Sequence, residues 1–486
     1  MTLSLLVDNL VTILPLAVLA VWACLLLLVD AFLPRQHKGW IALLAAVGLA
    51  LAMGIAVARF GFPTEAPFGG MVVVDRFSTF LTVLFLGSGL AGVAVAYDYL
   101  KRMEIERGEY YALLLFSICG MMLMGMAADL IVIFLALELL SIPLYILAAM
   151  AAHHNESLEA GLKYFLLGAF SGGFLVYGVA LVFGATGTTQ LFTIVEMVRY
   201  GQANLSLLLI GSALIMIGLG FKVGVVPFHM WTPDVYHGAP SPVTAFMSVG
   251  AKAGGFAALM RIFVAAFPSL SADMTTVFWV ISALTMFLGN VVAIAQSNIK
   301  RMLAYSSIAH AGYILMALVP FGQAAVSRVS VASALFYLVA YAFTSFGAWA
   351  VVISLEKREG GGLALDDYAG LGRKHPALAA AMTVFMLSFT GVPPTLGFMG
   401  KFFLFRSIME GGFVGLALIG VLTSLISAYF YLRVVVVMYM REGEPEVTSE
   451  PWLQLTVFVS AIAVVVLSLF STPLLDWASR AVLQLF

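Results

Sequence analysis

The feature that most constrains this chain is its succession of continuously apolar runs, such as VWACLLLLVDAFL (Val21–Leu33) and DLIVIFLALELLSIPLYILAAM (Asp129–Met150). A run of about 20 apolar residues crosses a hydrocarbon core as an α-helix, which bonds every backbone N–H and C=O within itself. Strands of an outer-membrane barrel would alternate apolar and polar positions, and these runs do not. The expected class is an all-α polytopic membrane protein. Composition agrees, since 62% of the 486 residues are hydrophobic and 10% are charged, far from the balance of soluble domains. A net charge of -1 without a basic tail offers nothing to nucleic acid.

Hydropathy windows predict about fourteen spans. In the first half they cover roughly 9–33, 40–58, 77–98, 109–127, 129–150, 158–184 and 205–234. In the second half they cover roughly 240–267, 273–296, 301–321, 328–355, 377–410, 413–441 and 452–472. The amino-terminal run lacks a basic region and a small-residue cleavage site, so it reads as a retained first span. Lysine and arginine concentrate in the odd-numbered connections (Lys38, Lys101, Arg102, Lys300, Arg301 and others), which predicts that these are cytoplasmic and that both termini face outward. No connection is long enough to fold into a soluble catalytic domain, so the chemistry is expected inside the membrane.

Two spans carry a break. The seventh holds Lys222 and Pro227, and the twelfth holds Pro393, Pro394 and Lys401. Interrupted spans at corresponding places predict an inverted repeat with the ion pathway at the breaks, pairing spans four to eight with nine to thirteen. The single transmembrane domain 1–486 then divides into a three-helix part (1–108), two repeats (109–267 and 268–441) and a carboxy-terminal helix (442–486).

Proline cannot donate to the carbonyl four residues earlier, so Pro227 is expected to free the carbonyl of Val223 beside Lys222, and Pro143 that of Leu139 beside Glu138. An ionisable residue at mid-membrane costs ~2.5–3.5 kcal/mol or more, so such groups pair or line a hydrated cavity. Glu138 and Lys222 are opposite in sign and similar in depth, which predicts that they pair; moving the carboxylate would then switch the proton affinity of the lysine. The bland reading is a static ion pair joining two helices. Lys252, His310 and Lys401 recur at similar depth in later spans, which favours a horizontal proton relay. Lys252 lies among small residues that leave room for water. His310 is either a hydrogen-bonded core histidine or a relay group, with Ser306, Ser307 and Tyr313 near it in sequence.

Lys163, about one turn inside the sixth span, either snorkels to the surface or serves proton uptake. His229 follows the break and is expected to satisfy freed carbonyls. Adjacent His153 and His154 cannot share a metal from one helix. Trp40 and Trp231 are expected at the membrane interface, and Cys24 and Cys119 as buried thiols, with no metal or iron–sulfur site in the chain.

Several stretches together carry a resemblance: PFHMWTPDVYHGAPSPVTAFMSVGAKAG, FLALELLSIPLYILAA, SNIKRMLAYSSIAHAGY, LDDYAGLGRKHP and GVPPTLGFMGKFFLF. Over nearly the whole length the chain resembles the N-type antiporter-like membrane subunits of bacterial proton-pumping NADH:quinone oxidoreductase, respiratory complex I. Lysine at 401, rather than glutamate, and the lack of a long carboxy-terminal extension separate it from the M-type and L-type subunits. The resemblance implies fourteen helices, inverted five-helix repeats and discontinuous seventh and twelfth helices. It implies that Glu138 is the paired glutamate, Lys222 the pumping lysine, Lys252 the connecting lysine and Lys401 the twelfth-helix lysine, with His310 equivalent to a histidine on the tenth. It also implies an enzyme subunit without a redox centre of its own. NADH, FMN, iron–sulfur clusters and quinone would belong to partner subunits, both membrane and peripheral, in the bacterial cytoplasmic membrane. Two other readings stay open: a subunit of a multisubunit cation/proton antiporter, and a scaffold that does not pump.

Overall fold

The computed structural model describes residues 3–34, 38–358, 360–481 and 483. Among them no strand forms, and pairing outside helices is limited to isolated bridges such as Asp129 with Gln190 and Asn298 with Ala364. The chain opens with α1 (Leu3–Thr12) and α2 (Leu14–Phe32). They were expected as one helix. Pro15 has no N–H to give the Val11 carbonyl, and the Arg59 guanidinium donates to that carbonyl instead. The bundle continues with α3 (Gly39–Ala58), α4 (Arg76–Arg102), α5 (Glu109–Met126), α6 (Leu130–Ala148), α7 (Asn155–Thr186), the short α8 (Leu191–Arg199), α9 (Leu205–Val223) and α10 (Trp231–Gly238). Then come α11 (Ser241–Ala266), α12 (Pro268–Ile294), α13 (Ile299–Leu315), α14 (Ala324–Leu355), α15 (Pro376–Thr390), α16 (Leu396–Glu410), α17 (Val414–Met440), α18 (Pro451–Leu469) and α19 (Ser471–Arg480).

Among the described residues, twelve helices are long and apolar enough to cross a membrane. The tenth and twelfth expected spans are shorter: α13 has 17 residues, and α15 and α16 have 15 each on either side of a break. The last expected span ends at Leu469, and the separate α19 lays Trp477 against Phe60 and Phe80.

Helix α11 is buried along its whole length and α14 nearly so, which makes them the pillars of the bundle. Around them α2, α3, α7, α12, α17 and α18 turn large apolar side chains outward. Where helices cross most closely the residues are small. A Cβ on Gly178 of α7 would lie 2.7 Å from the Gly211 carbonyl oxygen of α9, so the two backbones approach as only glycine allows.

A buried ion pair ties the amino-terminal part to α11. Asp75 caps α4, accepting from the Ser78 N–H at 2.8 Å. Both of its oxygens also accept from Arg261, at 2.6 and 3.0 Å, and Arg261 donates to the Gly125 carbonyl at 2.7 Å.

Both breaks end in the same way. At Gly224 (φ 74°) the N–H returns to the Gly220 and Phe221 carbonyls and the Val225 N–H to Gly220. At Gly391 (φ 88°) the N–H returns to Leu387 and Ser388 and the Val392 N–H to Leu387. These are glycine-terminated helix ends with 6→1 closure. The expected mechanism is therefore corrected. The glycine stops α9 at Val223, and Pro227 lies in the unwound stretch 224–230 rather than bending a continuous helix. Pro393 and Pro394 likewise fall in the non-helical 391–395. Pro143, by contrast, sits inside α6.

Candidate functional site: a buried polar axis

Lys222, Lys252, His310 and Lys401 are all buried, on α9, α11, α13 and α16 respectively. On the last turn of α9, Lys222 Nζ donates to Ser141 Oγ at 2.8 Å and Tyr164 OH at 3.0 Å. The expected ion pair with Glu138 is not formed. Ser141 stands one turn beyond Glu138 on α6 and takes the lysine hydrogen bond in its place. Glu138 is half-buried, and its Oε1 fills the space beside Gly172 of α7, where a Cβ would come within 3.1 Å. The Tyr164 ring stacks on Trp231 at 4.5 Å, and the indole N–H reaches across the break to the Phe221 carbonyl at 2.9 Å. Trp231 is thus a buried latch between α9 and α10, not the interfacial anchor expected of it. Trp40 is exposed.

Gly255 of α11 leaves room for the Lys222 stem: a Cβ there would meet Lys222 Cγ at 3.5 Å. One turn before Gly255 is Lys252. Stretches of wider helical turn, five residues long at Met247–Ala251 and seven at Met260–Ala266, stand on either side of it in α11, a distortion that concentrates at functional positions. Lys252 Nζ donates to the carbonyl oxygen of Ser307 and, at 2.6 Å, to its hydroxyl.

One turn along α13, His310 Nδ1 meets Tyr337 OH at 2.7 Å and Nε2 meets Tyr431 OH at 3.1 Å. Tyr431 OH is also bonded to Ser306 Oγ. Every side chain in this group carries a hydroxyl or ring nitrogen that can donate or accept, which is what a proton relay requires.

Lys401 sits on the second break. Its Nζ donates to the Phe389 and Thr390 carbonyls at 3.0 and 2.9 Å, at the carboxy-terminal end of α15, where a cation is favoured. A third bond goes to Ser424 Oγ at 3.0 Å, which in turn donates to Tyr313 OH at 3.0 Å. Asn290 and Thr423 complete the surroundings of that phenol.

Lys163 neither snorkels freely nor joins the buried line. Its Nζ lies 2.6 Å from Asp234 and 2.7 Å from Glu159, and Asp234 also binds Arg301 at 3.0 Å. This partly exposed cluster adjoins the site, because Lys163 precedes Tyr164 and Asp234 lies one turn after Trp231. His229 stands buried in the break with its Nδ1 unbonded. Cys119 is buried, whereas Cys24 faces outward, against expectation. Among the described residues no three histidine, cysteine or acidic groups converge on a metal position.

Ser141, Tyr164, Tyr337, Ser424 and Tyr431 were not picked out from the sequence. Their only signal there is a hydroxyl inside an apolar run.

The family model for NADH:quinone oxidoreductase/Mrp antiporter transmembrane proteins matches residues 127–427. The NADH-quinone oxidoreductase subunit N of Trichlorobacter lovleyi is 46% identical over 480 residues, covering 98% of this chain and 97% of that protein. Its counterpart in Chloroflexus aggregans is 45% identical, covering 97% and 96%. Among solved structures, a chain of respiratory complex I from Thermus thermophilus superposes with a TM-score of 0.82 at 35% identity, covering 96% of this chain and 99% of that one. A chain of the Mrp complex from a Dietzia species gives 0.86 at 21% identity over 98% and 97%, a likeness of fold.

Proposed function

The chain belongs to the NADH:quinone oxidoreductase/Mrp antiporter membrane-subunit family, and from that premise we propose a route by which it moves protons as subunit N of NADH:quinone oxidoreductase. It is a multi-pass membrane subunit of an enzyme complex whose cofactors reside in other subunits. In this reading NADH, FMN, iron–sulfur clusters and quinone belong to membrane and peripheral partners, and the chain lies in the bacterial cytoplasmic membrane with both termini outward.

The observation that carries the route is the line of buried hydrogen bonds. Lys222 joins Ser141 and Tyr164, Lys252 joins Ser307, His310 joins Tyr337 and Tyr431, and Lys401 joins Ser424 and Tyr313. Lys222 takes a proton from the cytoplasm past the cluster of Lys163 and Asp234, Lys252 and His310 pass it on, and Lys401 releases it outward. In this route water bridges the gaps between these groups, as it bridges buried polar groups in other proteins. Glu138 acts from beside Lys222. Movement of its carboxylate toward the ammonium favours the charged lysine, and movement away favours proton release.

The two five-helix repeats are part of the same proposal. They are supported by the equal 32-residue lengths of α7 and α14 and by the shared Gly-Val helix ends at 224 and 391. Asp129 and Asn298 cap α6 and α13, so Glu138 and Ser307 stand at the same distance from those caps. Ser307, the partner of Lys252, thereby takes the place of the glutamate in the second repeat.

Sodium dependence tests redox-driven pumping against ion-gradient exchange. The assembled complex in sealed vesicles is expected to acidify the far side on NADH addition at the same rate in sodium-free and sodium-containing buffer. Loss of pumping on sodium removal would assign the chain to a cation/proton exchange cycle instead.

A further inference from the structure

A second feature of the bundle takes no part in the polar axis: a cavity of about 730 Å³ between α3, α4 and the start of α18, open at the outer surface of the bundle. It is within the ~300–1,000 Å³ of small-molecule clefts. Its wall is hollow because Ala42 and Ala46 on α3 face Ala94 on α4. Along α4 it runs from Lys101 to Leu90. At ~1.5 Å per residue that is about 16 Å, close to the ~15 Å thickness of one leaflet's hydrocarbon. The Leu90 end is at the middle of α4, and the Lys101 end is at its terminus, where Trp40 and Trp452 flank the mouth with about half of each side chain exposed. Tryptophans in that position mark the level of lipid headgroups.

The mouth carries one charge of each sign. Lys101 lies over the Tyr97 ring at 3.8 Å, one turn from Asp98, and among the described residues it forms no salt bridge, whereas its neighbours Lys38 and Arg102 are paired with Asp30 and Glu450. Glu106 lines the same mouth, and among the described residues it forms no salt bridge. A cation and an anion at the head of a leaflet-deep apolar groove complement a zwitterion. We propose that this groove binds one phospholipid with a phosphoethanolamine headgroup, its phosphate on Lys101, its ammonium on Glu106 and an acyl chain along the alanine-lined wall. A lipid with only an anionic headgroup would satisfy Lys101 and face Glu106 with like charge.

The assembled complex, stripped of lipid in detergent and given equal amounts of phosphatidylethanolamine and phosphatidylglycerol, tests this by counting retained lipids by mass spectrometry. Wild type is expected to retain one more phosphatidylethanolamine per complex than Ala46→Phe, which fills the groove. Glu106→Gln, a surface change that leaves packing intact, is expected to reduce the preference for phosphatidylethanolamine at that site by about tenfold, with phosphatidylglycerol retained in its place. Equal phosphatidylethanolamine counts in wild type and Ala46→Phe would overturn the proposal. So would an unchanged headgroup preference in Glu106→Gln, or a helix of a neighbouring subunit occupying the groove in a density map of the whole complex.

Discussion

Lys252→Met in the assembled complex is expected to lower NADH-driven proton translocation and quinone reduction together by about tenfold or more, equivalent to ~1.4 kcal/mol or more on the limiting step. The methionine side chain has nearly the volume of the lysine stem and needs no hydrogen bond. Replacing a buried charge by an apolar side chain of similar size is often neutral for stability. The amount of assembled complex should therefore stay near wild type. What is lost is the ammonium that stands in the route between Lys222 and His310, with its two bonds to Ser307. Wild-type rates in Lys252→Met would remove Lys252 from the path and reduce its site to packing.

Arg261→Ala should act in the opposite manner, on assembly rather than turnover. It strips two hydrogen bonds from Asp75 and one from the Gly125 carbonyl in a site closed to solvent. Removing one partner of a buried pair costs about 3–5 kcal/mol, because the other charge is left uncompensated. The expected result is a large fall in the amount of subunit recovered in the membrane and in its thermal stability, with normal turnover per assembled complex. Asp75→Asn in the same background should restore part of the loss, since the amide does not leave a bare charge. If Arg261→Ala assembled at wild-type levels, the pair would not be holding α4 to α11.

Much of this architecture was readable from the residues because lipid leaves few solutions. Long apolar runs must be helices, and lysines within them must find polar company, so Lys222, Lys252 and Lys401 stood out as buried sites. The breaks were visible in prolines, but their cause was misassigned. Gly224 and Gly391 end the helices through left-handed caps, and a proline in the sequence says only that the helix does not continue through it. The partner of Lys222 was also misread. Charge and depth suggested Glu138, whereas Ser141, on the same helix and one turn further on, is where the ammonium points.

The hydroxyl network was hidden for a different reason. Tyr337, Tyr431 and Ser424 come from α14 and α17, far from His310 and Lys401 in sequence, and hydropathy does not report which face of a helix a tyrosine occupies. Trp231 illustrates the same limit. Indole fits a membrane interface and a buried stack equally well, and only the Phe221 carbonyl across the break decides for the stack.

The most direct test of the central claim is Lys222→Ala in the assembled complex, with NADH-driven quinone reduction and proton translocation measured in the same sealed vesicles. The account predicts normal assembly and a joint fall of both rates, because electron transfer cannot proceed at full speed when the site at Lys222 cannot load. Wild-type rates of both would contradict it and leave the buried line from Lys222 to Lys401 as scaffolding.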